Sequence, residues 1–430
     1  MKKLGIIALT LNTLFISIAL NAQAEEKQGG PAVNATVFQN DNIKQVVAVT
    51  EVFGRSQRIT SVIVEYKNQL DAASISPSSF AVKGRKILDV KVSNNINDIT
   101  AMKTGQFVHI VLDAEDEASI VFSPEIQKAT EVVVEQVQAI QSADGQEIVP
   151  SKKALINTGV KNLIMDDFIV LRYFDEQTGK SMDYNLYIPK DYDISQQYPL
   201  VLFMHDAGVT GSDPYRTLKQ GLGAISFASP RDQAKHASFV LAPQYPVALA
   251  NDEAQMSDYA DMTIRLIKQL TKEYSIDTHR LYTTGQSGGC MTSIALNIKY
   301  PNFFAASLLV AGQWDAALVT PMANDNLWII VSEDDAKAYP GMQAITAKLA
   351  ENGAKVTQDF WNAKWSPQQY DKAFNKMTTE GADSNVFFIV FEKGSVMPEN
   401  ADSPAQGHMY TWYYAYSIPQ IRDWLFEQTK

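Results

Sequence analysis

One cysteine, Cys290, serves a chain of 430 residues. A single thiol excludes an intrachain disulfide, and with it a cysteine-built zinc or iron–sulfur site. Basic residues are also in short supply. The 37 Lys and Arg face 48 Asp and Glu, which leaves a net charge of −11. Nucleic-acid phosphates demand a basic footprint, so an acidic balance of this size argues against wrapping DNA or RNA. It argues equally against electrostatic docking on anionic lipid. Glycine and proline are scattered without a period, which excludes a fibre. With apolar residues at 46%, a wholly disordered chain is excluded too. Beyond the N-terminal segment, no apolar run is long enough to span a bilayer.

That segment reads as an export signal over residues 1–24. Lys2 and Lys3 open it, an apolar run extends from Leu4 to Leu20, and Ala22-Gln23-Ala24 supplies the small-x-small cleavage pattern. Cleavage is expected after Ala24. The competing reading is a transmembrane anchor. However, the run is near the lower limit of roughly 17–25 residues for a spanning helix, and polar residues interrupt it. The expected location is periplasmic or secreted, with no membrane anchor in the mature form. An exported protein with one cysteine is consistent, because a large core needs no disulfide staples.

The remainder is written in two styles. Residues 33–155 are β-branched runs punctuated by turn residues, such as Gln45 to Val49, Ser61 to Tyr66 and Phe107 to Leu112. Ser142-Ala143-Asp144-Gly145 is a hairpin-turn signal. Short strands with little helical periodicity predict an all-β, immunoglobulin-like sandwich. From 160 to 430, strands alternate with helices. Leu200 to Met204 and Phe239 to Pro243 are uninterrupted apolar runs, as for strands buried on both faces. Asp258 to Tyr274 carries Met262, Leu266, Ile267 and Leu270 at helical spacing. Further strands are expected at Arg280 to Thr284, Phe304 to Val310, Leu327 to Val331 and Val386 to Phe391. Helices are expected at Gly289 to Tyr300 and Ile418 to Gln428. Such alternation predicts an α/β domain, a mostly parallel sheet with helices on both faces.

Chemistry starts at Gly285-Gln286-Ser287-Gly288-Gly289, between a strand and a helix. A nucleophile at the apex of such a turn is strained, and side chains two residues to either side would clash. Glycines 285 and 289 remove them. The helix start then aims free N–H groups at a developing oxyanion, Gly288 supplying one. A serine hydroxyl needs a base, and the base needs an orienting acid. Of five histidines, His408 lies where such a base is carried, in a loop between the last strand and the last helix. The acid is expected after Leu327 to Val331, with Asp335 the first choice and Asp334 the second. The chain order Ser287, Asp335, His408 is that of the α/β-hydrolase fold. A second oxyanion donor is expected from Met204-His205-Asp206-Ala207-Gly208, as the N–H of Asp206 or Ala207. His205 is expected to brace that loop rather than act as a second base, and it is a candidate for the substrate pocket.

Tyr198 to Gly208, Val240 to Gln244, Asp277 to Cys290 and Gly407-His408 before Tyr410-Thr411-Trp412 form an ordered series. It resembles the esterases known as "predicted peptidases", related to polyhydroxybutyrate depolymerases and feruloyl esterases. Some of these carry an N-terminal immunoglobulin-like domain. The resemblance implies Ser287 as nucleophile, Asp335 as acid and His408 as base. Two positions depart from the family pattern. Asp206 replaces the first Gly of His-Gly-x-Gly, and its carboxylate would oppose the oxyanion unless it points away. Gly288 stands where the family often has Met, which opens the site slightly.

The expected activity is therefore a serine carboxylesterase acting on a small-molecule or polymer-linked ester, with no metal and no organic cofactor. A serine peptidase is the alternative within catalysis. A non-catalytic binding protein on a hydrolase scaffold is the alternative outside it. Trp314 either lines the pocket or caps the core, and Trp361, Trp365, Tyr370 and Trp412 to Tyr414 could form an aromatic cleft. The β-module could shield the active site, mediate a homo-oligomer or bind a surface.

Overall fold

The structure is a computed structural model that describes residues 42–54, 56–123, 125–150, 153–398 and 405–430. The expected signal segment, residues 1–24, lies outside the described residues.

The N-terminal module is two facing sheets. The larger has the strand order Gly159–Asn162, Ile43–Phe53, Ser56–Asp71, Thr104–Leu112, Ile87–Ser93, with Ile120–Phe122 also paired to Ser56–Asp71. The smaller is Leu155–Ile156, Val133–Gln136, Phe80–Val82. Alternation decides the packing. Val62, Val64 and Tyr66 point one way from their strand and meet Phe80, Val82 and Val134 of the other sheet in one core. Gly145 takes φ +82° at the 142–145 turn, as a hairpin between Ile140–Gln141 and Glu147–Ile148 requires. The module runs past the boundary expected at 155. Gly159–Asn162 pairs in parallel with Ile43–Phe53, so the chain leaves the first sheet only after residue 162.

The second domain is built on a nine-stranded sheet. Phe168–Asp175 and Lys180–Tyr187 form an antiparallel hairpin at one edge, and Lys180–Tyr187 runs antiparallel to Phe239–Gln244. The remaining strands are parallel, in the order Phe239–Gln244, Tyr198–Met204, Ile276–Gln286, Ala306–Val310, Leu327–Ser332, Val386–Phe391, Val356–Trp361. The run at 200–204 is uninterrupted because both faces are covered. Val201 and Phe203 enter one core cluster while Leu200, Leu202 and Met204 enter the other. Helices Asp258–Glu273, Gly288–Lys299 and Ala338–Glu351 pack on one face. Leu222–Phe227, Ala405–Ala415 and Pro419–Glu427 pack on the other. Arg422 secures the last helix through a buried two-pronged contact with Asp232, at 2.6 and 3.0 Å.

The tip joining the first two strands of the module presses into the second domain. Gly54 has φ +36°, and a Cβ there would lie 1.8 Å from the ring of Tyr413. Its carbonyl oxygen would meet a Cβ on Gly221 at 2.1 Å. Val52, two residues earlier, belongs to the core of the second domain.

Asp325, in the turn before Leu327–Ser332, has one carboxyl oxygen buried without a hydrogen-bond partner among the described residues. Burial pushes its carboxyl up to about 7. The unfolded chain ionises this group near 3.9, so it releases the proton first. The Asp325 contribution to stability then falls as pH rises from about 4 to about 7 and levels off above. Asp325→Asn is expected to match the parent in urea unfolding below pH 4. At pH 8 it should be more stable, by on the order of a few kcal/mol. Equal midpoint differences at both pH values would contradict this.

Candidate active site

The turn at Ser287 is tight in the way its glycines require. Ser287 itself has φ +51° and ψ −118°, a region that costs a side-chain-bearing residue about 1–3 kcal/mol. A Cβ on Gly285 would sit 2.4 Å from the carbonyl carbon of Gly289, and one on Gly289 would sit 2.0 Å from the carbonyl oxygen of Met204. The strain is held from both sides. Ser287 N–H donates to the Val310 carbonyl at 3.0 Å, and the Ser287 carbonyl accepts from Met291 N–H at 2.9 Å, opening helix Gly288–Lys299. That helix start lies beside the Ser287 hydroxyl.

His408 Nε2 lies 2.9 Å from Ser287 Oγ, and His408 Nδ1 is hydrogen-bonded to Asp335 Oδ2. Asp335 is 3% exposed. Its other oxygen accepts from the main-chain N–H groups of Ala338 and Lys337, at 2.9 and 3.1 Å. Burial pulls its carboxyl pKa upward, but the bond and charge of His408, with those two N–H donors, outweigh it. The net pKa lies below the usual carboxylate value. His408 is not in a loop as expected. It occupies the first turn of helix Ala405–Ala415, where Gly407 lets the backbone close on Asp334; a Cβ there would be 2.5 Å from the Asp334 Cβ. Asp334 stands apart from the His408 ring, its Oδ2 accepting from Gly394 N–H at 2.6 Å.

The loop after strand Tyr198–Met204 is fixed by His205. Tyr245 N–H donates to His205 Nε2 at 3.0 Å, so the proton must sit on Nδ1, which donates to the Asp206 carbonyl at 2.7 Å. Burial holds the His205 pKa down and keeps the ring neutral. In a trans peptide the N–H opposes the C=O, so binding the Asp206 carbonyl inward turns the Ala207 N–H outward. Ala207 lines the pocket over Ser287, and its nitrogen is 3.6 Å from where a Cβ on Gly288 would stand. Asp206 does not line that pocket. Its carboxylate accepts from Gly208 N–H at 2.7 Å and from Gln286 Nε2 at 3.0 Å, so both oxygens are drawn into the protein. Gln286 carries no motif signal; its burial directly before the serine is the only hint of this role.

A pocket of about 530 Å³ opens over Ser287, Gly288 and His408. His205 is buried outside it, which corrects the pocket-lining alternative for that residue. None of the aromatics expected to form a cleft, Trp361, Trp365, Tyr370 and Trp412 to Tyr414, lines this pocket. Trp361, Trp365 and Tyr370 pack on one another at 5.9–6.0 Å, and Trp361 and Trp412 are buried in the core. The walls come instead from Ala250 to Glu253, Met291, Gln313 and Lys337, none of which lies in a recognisable motif.

This architecture is an α/β-hydrolase fold behind an immunoglobulin-like β-sandwich. Residues 45–149 match the family model described as the esterase Ig-like N-terminal domain. A thermostable esterase of known crystal structure is 28% identical, with a TM-score of 0.77 over 90% of this chain and 100% of its own. A feruloyl esterase module from Clostridium thermocellum is 12% identical, with a TM-score of 0.40 over 58% of this chain and 86% of its own. No curated protein matches the chain. The chain is thus similar to α/β-hydrolase esterases with an N-terminal Ig-like domain, and the likeness supports an esterase.

Proposed function

We propose that the protein is an exported serine carboxylesterase that works through an acyl-serine intermediate. The observation that carries this reading is the relay from Ser287 Oγ through the His408 ring to Asp335, set on a strained strand-to-helix turn. Ser287 Oγ attacks the ester carbonyl carbon while His408 Nε2 takes its proton. Asp335 holds the Nδ1 proton in place and stabilises the imidazolium. The N–H groups of Gly288 and Ala207 receive the oxyanion, assisted by the positive end of helix Gly288–Lys299. Collapse expels the alcohol, which takes the proton from His408. Water, deprotonated by the same ring, then releases the acid and restores Ser287. Residues 1–24 direct export and are removed after Ala24.

The test is a panel of p-nitrophenyl acetate and butyrate against p-nitroanilides of matched acyl groups. Ester turnover with little or no anilide turnover is expected. Preferential cleavage of the anilides would replace the esterase reading with a peptidase one.

A further inference from the structure

We propose that Lys337 and Asp252 form a gate inside a two-compartment binding trough, and that Trp314 in the outer compartment holds a ring borne by a neutral ester. The inference rests on Ser287 being the reacting centre. Beside the pocket over Ser287 lies a second one of about 360 Å³. The two share Asn251, Asp252, Glu253, Met291, Gln313 and Lys337 in their walls, so they are one trough. Only the inner compartment reaches Ser287 and His408, and only the outer one reaches Trp314.

A bridge crosses the trough where they meet. Lys337 Nζ pairs with Asp252 Oδ2, and Gln313 Nε2 donates to Asp252 Oδ1 at 2.9 Å. The two ends of the ion pair are anchored differently. Asp252 sits on a self-bonded loop, in which Gln255 N–H donates to Asn251 Oδ1 at 3.0 Å and Ser257 N–H to the Leu249 carbonyl at 2.8 Å. The Lys337 backbone is tied to Asp335, but its long side chain is 64% exposed. Opening is therefore a rotation of Lys337, not a movement of the loop. An exposed pair of this kind is weak, so a ligand that fills the outer compartment can displace it.

The outer compartment also selects. Among the described residues of its wall, Asp252, Glu253 and Asp315 outnumber one cation, Lys337, around Trp314. That field disfavours an anionic group. An indole side chain beside carboxylate acceptors suits a neutral aryl or hydroxyl-bearing ring.

The test compares kcat/KM for ring-bearing and ringless esters in two series. The acyl series pairs ethyl 3-phenylpropanoate with ethyl propanoate. The alcohol series pairs 2-phenylethyl acetate with ethyl acetate. In at least one series Lys337→Met should raise the ring-to-ringless ratio about two- to fivefold, the span an exposed ion pair covers, through KM more than kcat. Asp252→Asn, which breaks the pair from the side remote from Asp335, should do the same. Trp314→Ala should lower the ratio in that series. Ratios unmoved by all three changes in both series would overturn the gate. Failure of the esterase reading looks different: the unaltered protein would turn over none of the four esters.

Discussion

Ser287→Ala is expected to lower kcat for p-nitrophenyl butyrate by about 10⁴–10⁶ while leaving the fold intact. The change removes one hydroxyl, and with it both the attacking atom and the donor of the 2.9 Å hydrogen bond to His408 Nε2. What holds the turn is main chain. Ser287 N–H still reaches Val310, the Ser287 carbonyl still accepts from Met291, and the glycines at 285 and 289 still admit the close approach. Alanine pays much the same strain at φ +51°, so thermal unfolding should move little. Residual activity over the uncatalysed reaction comes from the N–H groups of Gly288 and Ala207, which the substitution does not touch. A fall of less than about tenfold in a folded variant is too small for a nucleophile and would remove Ser287 from the reaction.

Asp335→Asn and Asp334→Asn, made in parallel, should separate by orders of magnitude. Asparagine at 335 can keep the N–H donors of Ala338 and Lys337 through its carbonyl oxygen. Its amide N–H₂ then faces His408 Nδ1. Two donors cannot bond, so the ring adopts the tautomer with the proton on Nε2, the nitrogen that must accept from Ser287. A loss of about 10⁴ in kcat follows, the scale known for the same exchange in other serine hydrolases. Asp334 touches the backbone of Gly394 and not the imidazole. Its replacement is expected to cost an order of magnitude at most, through weakening of the bond it accepts from Gly394 N–H. Equal losses, or a larger loss at 334, would exchange the two assignments.

Much of this was legible because it depends on local chain chemistry. The elbow needs small residues at 285 and 289 whatever surrounds it, and the doubly buried strand at 200–204 needs apolar residues on both faces. Features that depend on distant partners were not. Val356–Trp361 is a strand whose sequence mixes Thr, Gln and Asp, because it lies at the sheet edge with one side open. Helix Ala405–Ala415 has no clean apolar stripe, so His408 reads as a loop residue. The trough wall at 250–253 has no periodicity or motif; it comes beside Lys337 and Trp314 only through the tertiary fold. Lys337 itself reads as an ordinary surface lysine two positions after an acid. The contact of Gly54 with Tyr413 is equally invisible, because its reason is a ring more than 350 residues away. That contact seats the β-module against the helix that carries His408.

Stoichiometric labelling with a fluorophosphonate, followed by mass spectrometry of the digested protein, reads whether Ser287 is an activated nucleophile. One adduct per chain on the peptide containing Ser287, abolished in His408→Ala, is the predicted result. A native, folded protein that takes up no label, or takes it up on another residue, would contradict the account.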